Sequence, residues 1–279
     1  MLAELLYNDE IAPAYYRMGL LWEAPCHVEP GQFVMVRVSE GLDPFLCRPF
    51  GIYRLVSPTS GGKEVDGFEI LYKVVGKGTH LMSGLRKGEG VDIFGPLGRG
   101  FPPFKGDGKL IMVAGGVGIV PFYLLAERLM VEGQKGQLLF GGRCRDDLPG
   151  LDDFEGLGLA IEVSTDDGTV GAKGVVTLLL EKSLSDAAAV YACGPKGMLK
   201  GAARIAGERG LPCFVSLDRR MACGMGACLG CAVRVNGGES ATGRKDMESE
   251  AQIHRAPPYM MVCKDGPVFD AQELAWEEI

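Results

Sequence analysis

Apolar and polar residues alternate in short runs along the first third of the chain. Gln32–Val38, Gly51–Val56, Phe68–Val75 and Gly90–Phe94 are alternating or β-branched stretches bounded by Gly, Pro and Asp. Patterning of period two between turn residues predicts antiparallel strands, and several at close spacing predict a small barrel. From about Lys109 the rhythm changes. Leu110–Ala114, Gln137–Phe140, Ala160–Val163, Ala189–Ala192 and Cys213–Ser216 are continuous apolar runs, with helical patterns over about Val120–Glu132 and Lys196–Arg209. Strands buried on both faces and alternating with helices predict a parallel sheet covered by helices. Gly106–Lys109 reads as the linker between the two zones. After Leu217 glycine and cysteine dominate, followed by a polar stretch from Asn236 to His254. That tail has too few periodic apolar residues for a large core, which predicts a small domain held by something other than hydrophobic burial. The expected organisation is multidomain: an antiparallel β-barrel over residues 1–104, a doubly wound α/β parallel sheet over 105–215, and a small domain over 216–279.

Composition sharpens this in two respects. The 279 residues include 42 glycines, about twice the usual share of roughly 7%. With 47% apolar and 23% charged residues, the excess belongs to turns and close ligand approaches, and disorder and collagen-like repetition are excluded. Nine cysteines without the basic start and apolar core of a signal peptide argue for reduced thiols and against a disulfide framework. A net charge of −7 without a Lys/Arg cluster argues against binding nucleic acid through phosphates. Leu110–Ala126 holds 17 uncharged residues, but it is short for a membrane span and contains Gly115, Gly116, Gly118 and Pro121. A soluble, cytoplasmic protein with neither membrane nor nucleic-acid partner is expected.

Cys223, Cys228 and Cys231 give C-x4-C-x2-C, and Cys263 is the only later cysteine. This is the plant-type [2Fe–2S] spacing, in which four thiolates hold two irons. Gly224, Gly226 and Gly230 let the loop curl and aim N–H groups at sulfur, which favours the reduced cluster. A structural zinc site would ordinarily show two paired knuckles, and one pair is missing. Cys26, Cys47, Cys144 and Cys213 read as small core residues.

Two glycine turns follow predicted strands. Gly115-Gly116-Val117-Gly118-Ile119-Val120-Pro121 opens a helix, and so does Cys193-Gly194-Pro195-Lys196-Gly197. Either alone is equally well a packing turn. Together, at the carboxyl ends of parallel strands, they point to a dinucleotide whose pyrophosphate meets helix amides. In the first zone Arg48-Pro49-Phe50-Gly51 precedes a strand, and Leu71-Tyr72-Lys73 leads to Gly76-Lys77-Gly78-Thr79. Arginine clamps phosphate and a Gly-Thr helix start binds anions, though an ordinary surface arginine and an N-cap threonine fit the same residues.

The order RPFGIY, LYKVVGKGT, GGVGIVP, YACGPKGM, CGMGACLGC resembles the ferredoxin–NADP reductase superfamily with a C-terminal [2Fe–2S] domain. VSLDRRMACGMGACLGCAVRV and VCKDGPVF are similar to the electron transfer subunits of two-component dihydroorotate dehydrogenases. The resemblance implies FAD in the barrel, contacted by Arg48, Pro49, Phe50, Gly51, Leu71, Tyr72, Lys73, Gly78 and Thr79. It implies NAD(H) on the parallel sheet, held by Gly115, Gly116, Gly118, Pro121, Gly194 and Pro195, with Cys193 near the hydride path. The cluster would be carried by Cys223, Cys228, Cys231 and Cys263. The implied partner is an FMN-containing dihydroorotate dehydrogenase catalytic subunit, in a heterotetramer of two of each, serving pyrimidine biosynthesis.

Two departures stand out. The family places Ser or Thr where Gly51 stands, so only backbone serves there. The gap from Cys231 to Cys263 spans 31 residues, longer than the family leads one to expect. The implied activity is an electron relay without an acid–base triad, FAD converting between two-electron and one-electron carriers. His27, His80 and His254 have no catalytic setting. A subunit passing electrons between NAD(P)H and ferredoxin or sulfide has the same parts, and a non-catalytic iron–sulfur sensor is the reading from another class. Asp166 and Asp167 disfavour a 2′-phosphate and Arg143 welcomes one; the resemblance favours NAD.

Overall fold

The computed structural model describes residues 2–22, 27–39, 41–56, 67–105, 107–236 and 259–279. Cys26, Gly106, His254 and all of the polar insert after Asn236 lie outside them. The first sheet comprises β1 (Leu2–Ala12), β2 (Tyr15–Leu21), β3 (Phe33–Arg37), β4 (Arg48–Gly51), β5 (Arg54–Val56), β6 (Gly67–Lys73) and β7 (Gly90–Leu97). Its order is β4-β3-β7-β1-β2-β6-β5, antiparallel throughout. The expected strand Gly51–Val56 is instead a bend. Residues 48–51 pair with β3 and 54–56 with β6, while the amides of Ile52 and Tyr53 donate to the carbonyls of Gln32 (3.0 Å) and Glu69 (2.8 Å). This run carries the chain from one edge of the sheet to the other and curls the sheet toward a barrel. Leu5, Met18, Leu20, Val34, Phe68 and Ile70 fill the interior. β1 and β2 escape sequence reading because the alternation in Leu2–Ala12 lasts only four residues before it becomes mostly exposed. A two-residue turn joins them, with Ala14 in the left-handed region at φ 65. Between β6 and β7 lies helix α1 (Lys77–Ser83).

The second sheet takes β8 (Lys109–Gly115), β9 (Gly136–Gly142), β10 (Ala160–Thr165), β11 (Ala172–Lys173), β12 (Ala187–Cys193) and β13 (Cys213–Ser216). The tail supplies β14 (Ala232–Arg234), β15 (Tyr259–Met261) and β16 (Val268–Asp270). The order β11-β10-β9-β8-β12-β13-β16 is parallel except for β16, which runs antiparallel to β13. Helices α2 (Phe122–Val131) and α3 (Leu151–Glu155) cover one face; α4 (Thr177–Ser183) and α5 (Lys196–Glu208) cover the other. β8 shows why both faces are dry: Leu110, Met112 and Ala114 join the α2 side while Ile111 and Val113 join the α5 side. β10 departs from the expectation of burial on both faces, since Ala160 and Glu162 are exposed and only the short β11 lies beyond it. The helix expected from about Val120 begins at Phe122, after a 3₁₀ turn over Gly116–Ile119. Leu110–Ala126 is thus a strand, a turn and a helix start; no helix among the described residues is long and apolar enough to cross a membrane.

Hydrophobic burial does hold the tail. β16 extends the parallel sheet, and Met221, Val233, Val262 and Leu274 share one apolar cluster with α5 and with Phe33 and Met35 of the barrel.

Candidate functional site

β8, β12 and β13 are neighbours ending on the same side of the sheet. Strand order reverses between β8 and β12, and such a switch point opens a ligand crevice at the carboxyl ends. The turns after these two strands press on one another. A Cβ on Gly118 would stand 2.1 Å from the Cys193 carbonyl oxygen, and one on Gly115 would stand 2.8 Å from Pro195 Cδ. Gly194 (φ +154) would meet Gly115 N at 3.0 Å, while Gly116 is glycine for its φ of +54. Packing of loop on loop therefore explains three of the four glycines, and it fixes both turns as one rigid rim. Gly118→Ala should wedge that rim open. Where the rim takes the nicotinamide nucleotide the sequence leads one to expect, affinity for NAD+ should fall about tenfold, or about 1.4 kcal/mol, with cluster absorbance unchanged; titration calorimetry of the oxidised, loaded protein with NAD+ checks this.

Cys193 ends β12 beside Ser216. The residue is half-buried, and burial of its thiol pushes it up to about 12, opposed by a hydrogen bond with Ser216. A thiol so placed stays neutral near pH 7 and is no nucleophile.

Three separate segments of the barrel converge. The ring of Phe50 on β4 meets Tyr72 of β6 edge-on at 5.8 Å. A Cβ on Gly78 of α1 would lie 3.4 Å from Arg48 Nε, so the small residue lets the guanidinium approach the helix. Arg48 Nη1 donates to the Leu46 carbonyl at 2.5 Å. Thr79 is not the N-cap; from the third helical position its hydroxyl accepts the amides of Val75 (2.9 Å) and Gly76 (3.2 Å). Lys73 leaves this group for the domain boundary, where its ammonium reaches Asp147 Oδ1 (2.8 Å) and the Tyr15 hydroxyl (2.9 Å).

The four cysteines of the tail come together in two pairs. The amide of Cys228 donates to Cys223 Sγ at 3.4 Å, and Cys231 Sγ lies 3.3 Å from Cys263 Sγ. The Gly226 amide donates to Cys263 Sγ at 3.1 Å and bridges the pairs. Gly224 (φ +72) and Gly226 (φ +84) supply the left-handed curl that aims these amides inward. The amides of Met225 and Cys228 pull the Cys223 thiol down to about 6. Burial, and then the neighbouring Cys231, push Cys263 up. Among the described residues no three His, Cys, Asp or Glu side chains close round one ion. Two pairs of thiols with amides aimed at sulfur fit a two-iron cluster, in which each iron takes two protein ligands, better than a single tetrahedral zinc.

β4 lies close to this loop. A Cβ on Gly224 would stand 2.7 Å from Met35 Cγ of β3, and Met35 pairs with Pro49 of β4. One strand thus separates the barrel group from the cysteines.

Two contacts across the domain boundary, one buried and one half-buried, were invisible in the sequence. Asp147, on the 3₁₀ turn after β9, accepts the Tyr15 hydroxyl at 2.6 Å, the Lys73 ammonium and the Arg143 guanidinium. Asp153 of α3 accepts the Tyr53 hydroxyl at 2.7 Å and pairs with Arg17. The partners lie at least 74 residues apart in the chain for all but Arg143, so no local pattern marks them. The run RDDLPGLDDF offers only an acidic surface segment to a reader of sequence.

Known proteins bear on this geometry. The oxidoreductase NAD-binding domain matches residues 112–204, and the iron–sulfur cluster binding domain of dihydroorotate dehydrogenase B matches residues 218–245. The electron transfer subunit of dihydroorotate dehydrogenase B (NAD(+)) from Caldanaerobacter subterraneus subsp. tengcongensis is 37% identical over 274 residues, 98% of either chain. The same subunit from Geobacillus kaustophilus is 36% identical over 248 residues, 88% of this chain and 86% of its own. Among solved structures, one from a study of flavin-based electron bifurcation by the NADH-dependent reduced ferredoxin-NADP oxidoreductase superposes with a TM-score of 0.80 at 29% identity. It covers 99% of this chain and 91% of that one.

Proposed function

The chain belongs to the family of electron transfer subunits of NAD-dependent dihydroorotate dehydrogenase B, and from that premise we propose which residues carry its relay. It is an NAD-linked oxidoreductase subunit with FAD and a [2Fe–2S] cluster, and it serves a catalytic partner subunit. When bound, FAD exchanges a hydride with the nicotinamide and single electrons with the cluster.

In our reading Arg48, Pro49, Phe50 and Gly51 line the flavin with Leu71, Tyr72, Gly78 and Thr79, and Lys73 supports it from the boundary. Gly115, Gly116, Gly118, Pro121, Gly194 and Pro195 hold the nicotinamide nucleotide. Cys193 presents a neutral thiol beside the hydride path, where it shapes the cavity without taking a proton. Cys223 and Cys228 ligate one iron, Cys231 and Cys263 the other. The observation that carries this reading is the common edge: both turns and the cysteine loop follow adjacent strands, and β4 stands next to them. Preference for NAD is supported by Arg143, whose guanidinium is engaged by Asp147. The amides of Asp166 and Asp167 bond to the Gly142 and Arg143 carbonyls, which sets two carboxylates beside the same spot.

The partner in this reading bears FMN and assembles two of each subunit in the cytoplasm. Exposed Met225 and Leu229 on the cysteine loop give that partner an apolar landing. The test is to co-express the chain with an FMN-bearing barrel subunit. Co-purification and dihydroorotate-dependent reduction of NAD by the pair are expected. Reduction of ferredoxin by NADH without any dihydroorotate activity would favour the reductase reading instead.

A further inference from the structure

Gly51 is the last residue of β4, and glycine in a strand marks a bulge or a close approach. Its φ lies outside the left-handed region, so the backbone does not call for glycine. Space does. A Cβ built on Gly51 would stand 2.8 Å from Val120 Cγ1 and 3.8 Å from Val120 Cβ; among the described residues nothing else beyond its chain neighbours comes within 4 Å. Val120 ends the 3₁₀ turn of the nucleotide loop, is buried, and donates its amide to the Val117 carbonyl at 3.2 Å. Its position is stiff for two reasons. A β-branched side chain has little χ1 freedom, and the Val120 amide is tied back to the turn through the Val117 carbonyl. The isopropyl group therefore stands on the bare backbone of β4 as a stop between the two domains. The rim formed by Gly115, Gly118 and Gly194 transmits that stop to both turns.

We infer that the Val120–Gly51 contact sets the gap between the flavin strand and the nucleotide loop, which makes Val120 a positioning residue for hydride transfer between nicotinamide and flavin. This rests on the reading that β4 lines FAD and the Gly115 turn holds the nicotinamide. It also accounts for the missing side chain at residue 51: its space is taken by the other domain. Any side chain there must push the nucleotide loop outward, and an ångström of misplacement costs on the order of a hundredfold in rate.

A double-mutant cycle on the loaded protein tests it, using Gly51→Ala, Val120→Ala and the pair. Two quantities are read, the rate of flavin bleaching on rapid mixing with NADH and the temperature of unfolding. Gly51→Ala should slow bleaching by on the order of tenfold and lower the unfolding temperature, and Val120→Ala should do less of each. The double variant should bleach faster and unfold higher than Gly51→Ala alone, because removing the methyls reopens the space. Independent effects, multiplying in rate and adding in temperature, would overturn the inference. If Gly51→Ala does not accumulate, recovery of folded yellow protein by the added Val120→Ala supports the contact, and continued failure beside a folded Val120→Ala rejects it. Wild-type protein that lacks FAD, or is not bleached by NADH, would sink the underlying reading; the temperature cycle still reports the contact.

Discussion

Cys228→Ser should yield a folded, yellow protein that bleaches with NADH like the wild type yet relays almost nothing to its partner. Cys228 is the exposed cysteine of the four, while Cys231 and Cys263 are buried in the core that joins the tail to the sheet. Replacing it therefore changes ligand chemistry without opening a cavity, which a change at Cys263 would not achieve. Residues that merely orient a metal ligand cost about 10–100-fold in metal affinity or activity when lost. A ligand itself should cost at least about 100-fold in relay between the partner and NAD, with loss of the cluster's visible absorbance and paramagnetic signal. Flavin bleaching is the internal control, since the turns after β8 and β12 and strand β4 do not include Cys228. An intact cluster signal, unshifted from that of the wild type, would show that the Cys228 thiolate is not a ligand, since a serine oxygen in its place would shift the spectrum. Equal loss of relay and bleaching would mean that the loop supports the barrel and not only a cluster.

How far the sequence foretells this depends on the range of the interactions. The cysteine loop is legible because its ligands and glycines lie within nine residues, and only Cys263 has to be brought from elsewhere. The strands β8, β9, β12 and β13 are legible because both faces are buried, which leaves an unbroken apolar run. β1 fails the same test: outside its first few residues its side chains face solvent, so composition says nothing. β16 fails for another reason. Val268–Asp270 is a three-residue strand that exists because β13 offers an open edge, and no local pattern encodes a neighbour that distant. The stop at Val120 and the carboxylates of Asp147 and Asp153 belong to the same class. Each is an ordinary residue until the fold brings the other domain against it. Gly51 is the instructive case, since the sequence marks it as a departure and only the fold supplies the residue occupying the space.

Asp147→Asn should weaken the junction of the two large domains, with an effect that fades as the pH falls. The Asp147 carboxylate is buried and takes the Tyr15 hydroxyl and Lys73 ammonium from the barrel, with Arg143 of its own domain. The Arg143 guanidinium above all, then the Lys73 and Tyr15 bonds, hold it well below the usual carboxylate range against the opposing cost of burial. Asparagine keeps the size and one acceptor but loses the charge, and Lys73 stays half-buried without a counterion. Hydrogen bonds to charged groups contribute about 1.5–3 kcal/mol, and Arg143 is largely exposed, so its share is screened. A loss of about 2 kcal/mol at pH 7 follows, or about 5 °C in unfolding temperature for a chain of this size. The sign with pH is fixed by the direction of the shift. A carboxylate whose folded pKa is depressed stabilises fully above its unfolded value of about 4, and loses that contribution as pH falls toward the folded value. The wild-type advantage should therefore be constant from pH 7 to about 5 and shrink below about 4, so the two unfolding curves converge in acid. NADH bleaching should slow in the variant as well, because the clamp seats the turn after β9 against β2 and β6. A wild-type advantage that persisted undiminished at low pH would show that the side chain contributes by shape and not by charge.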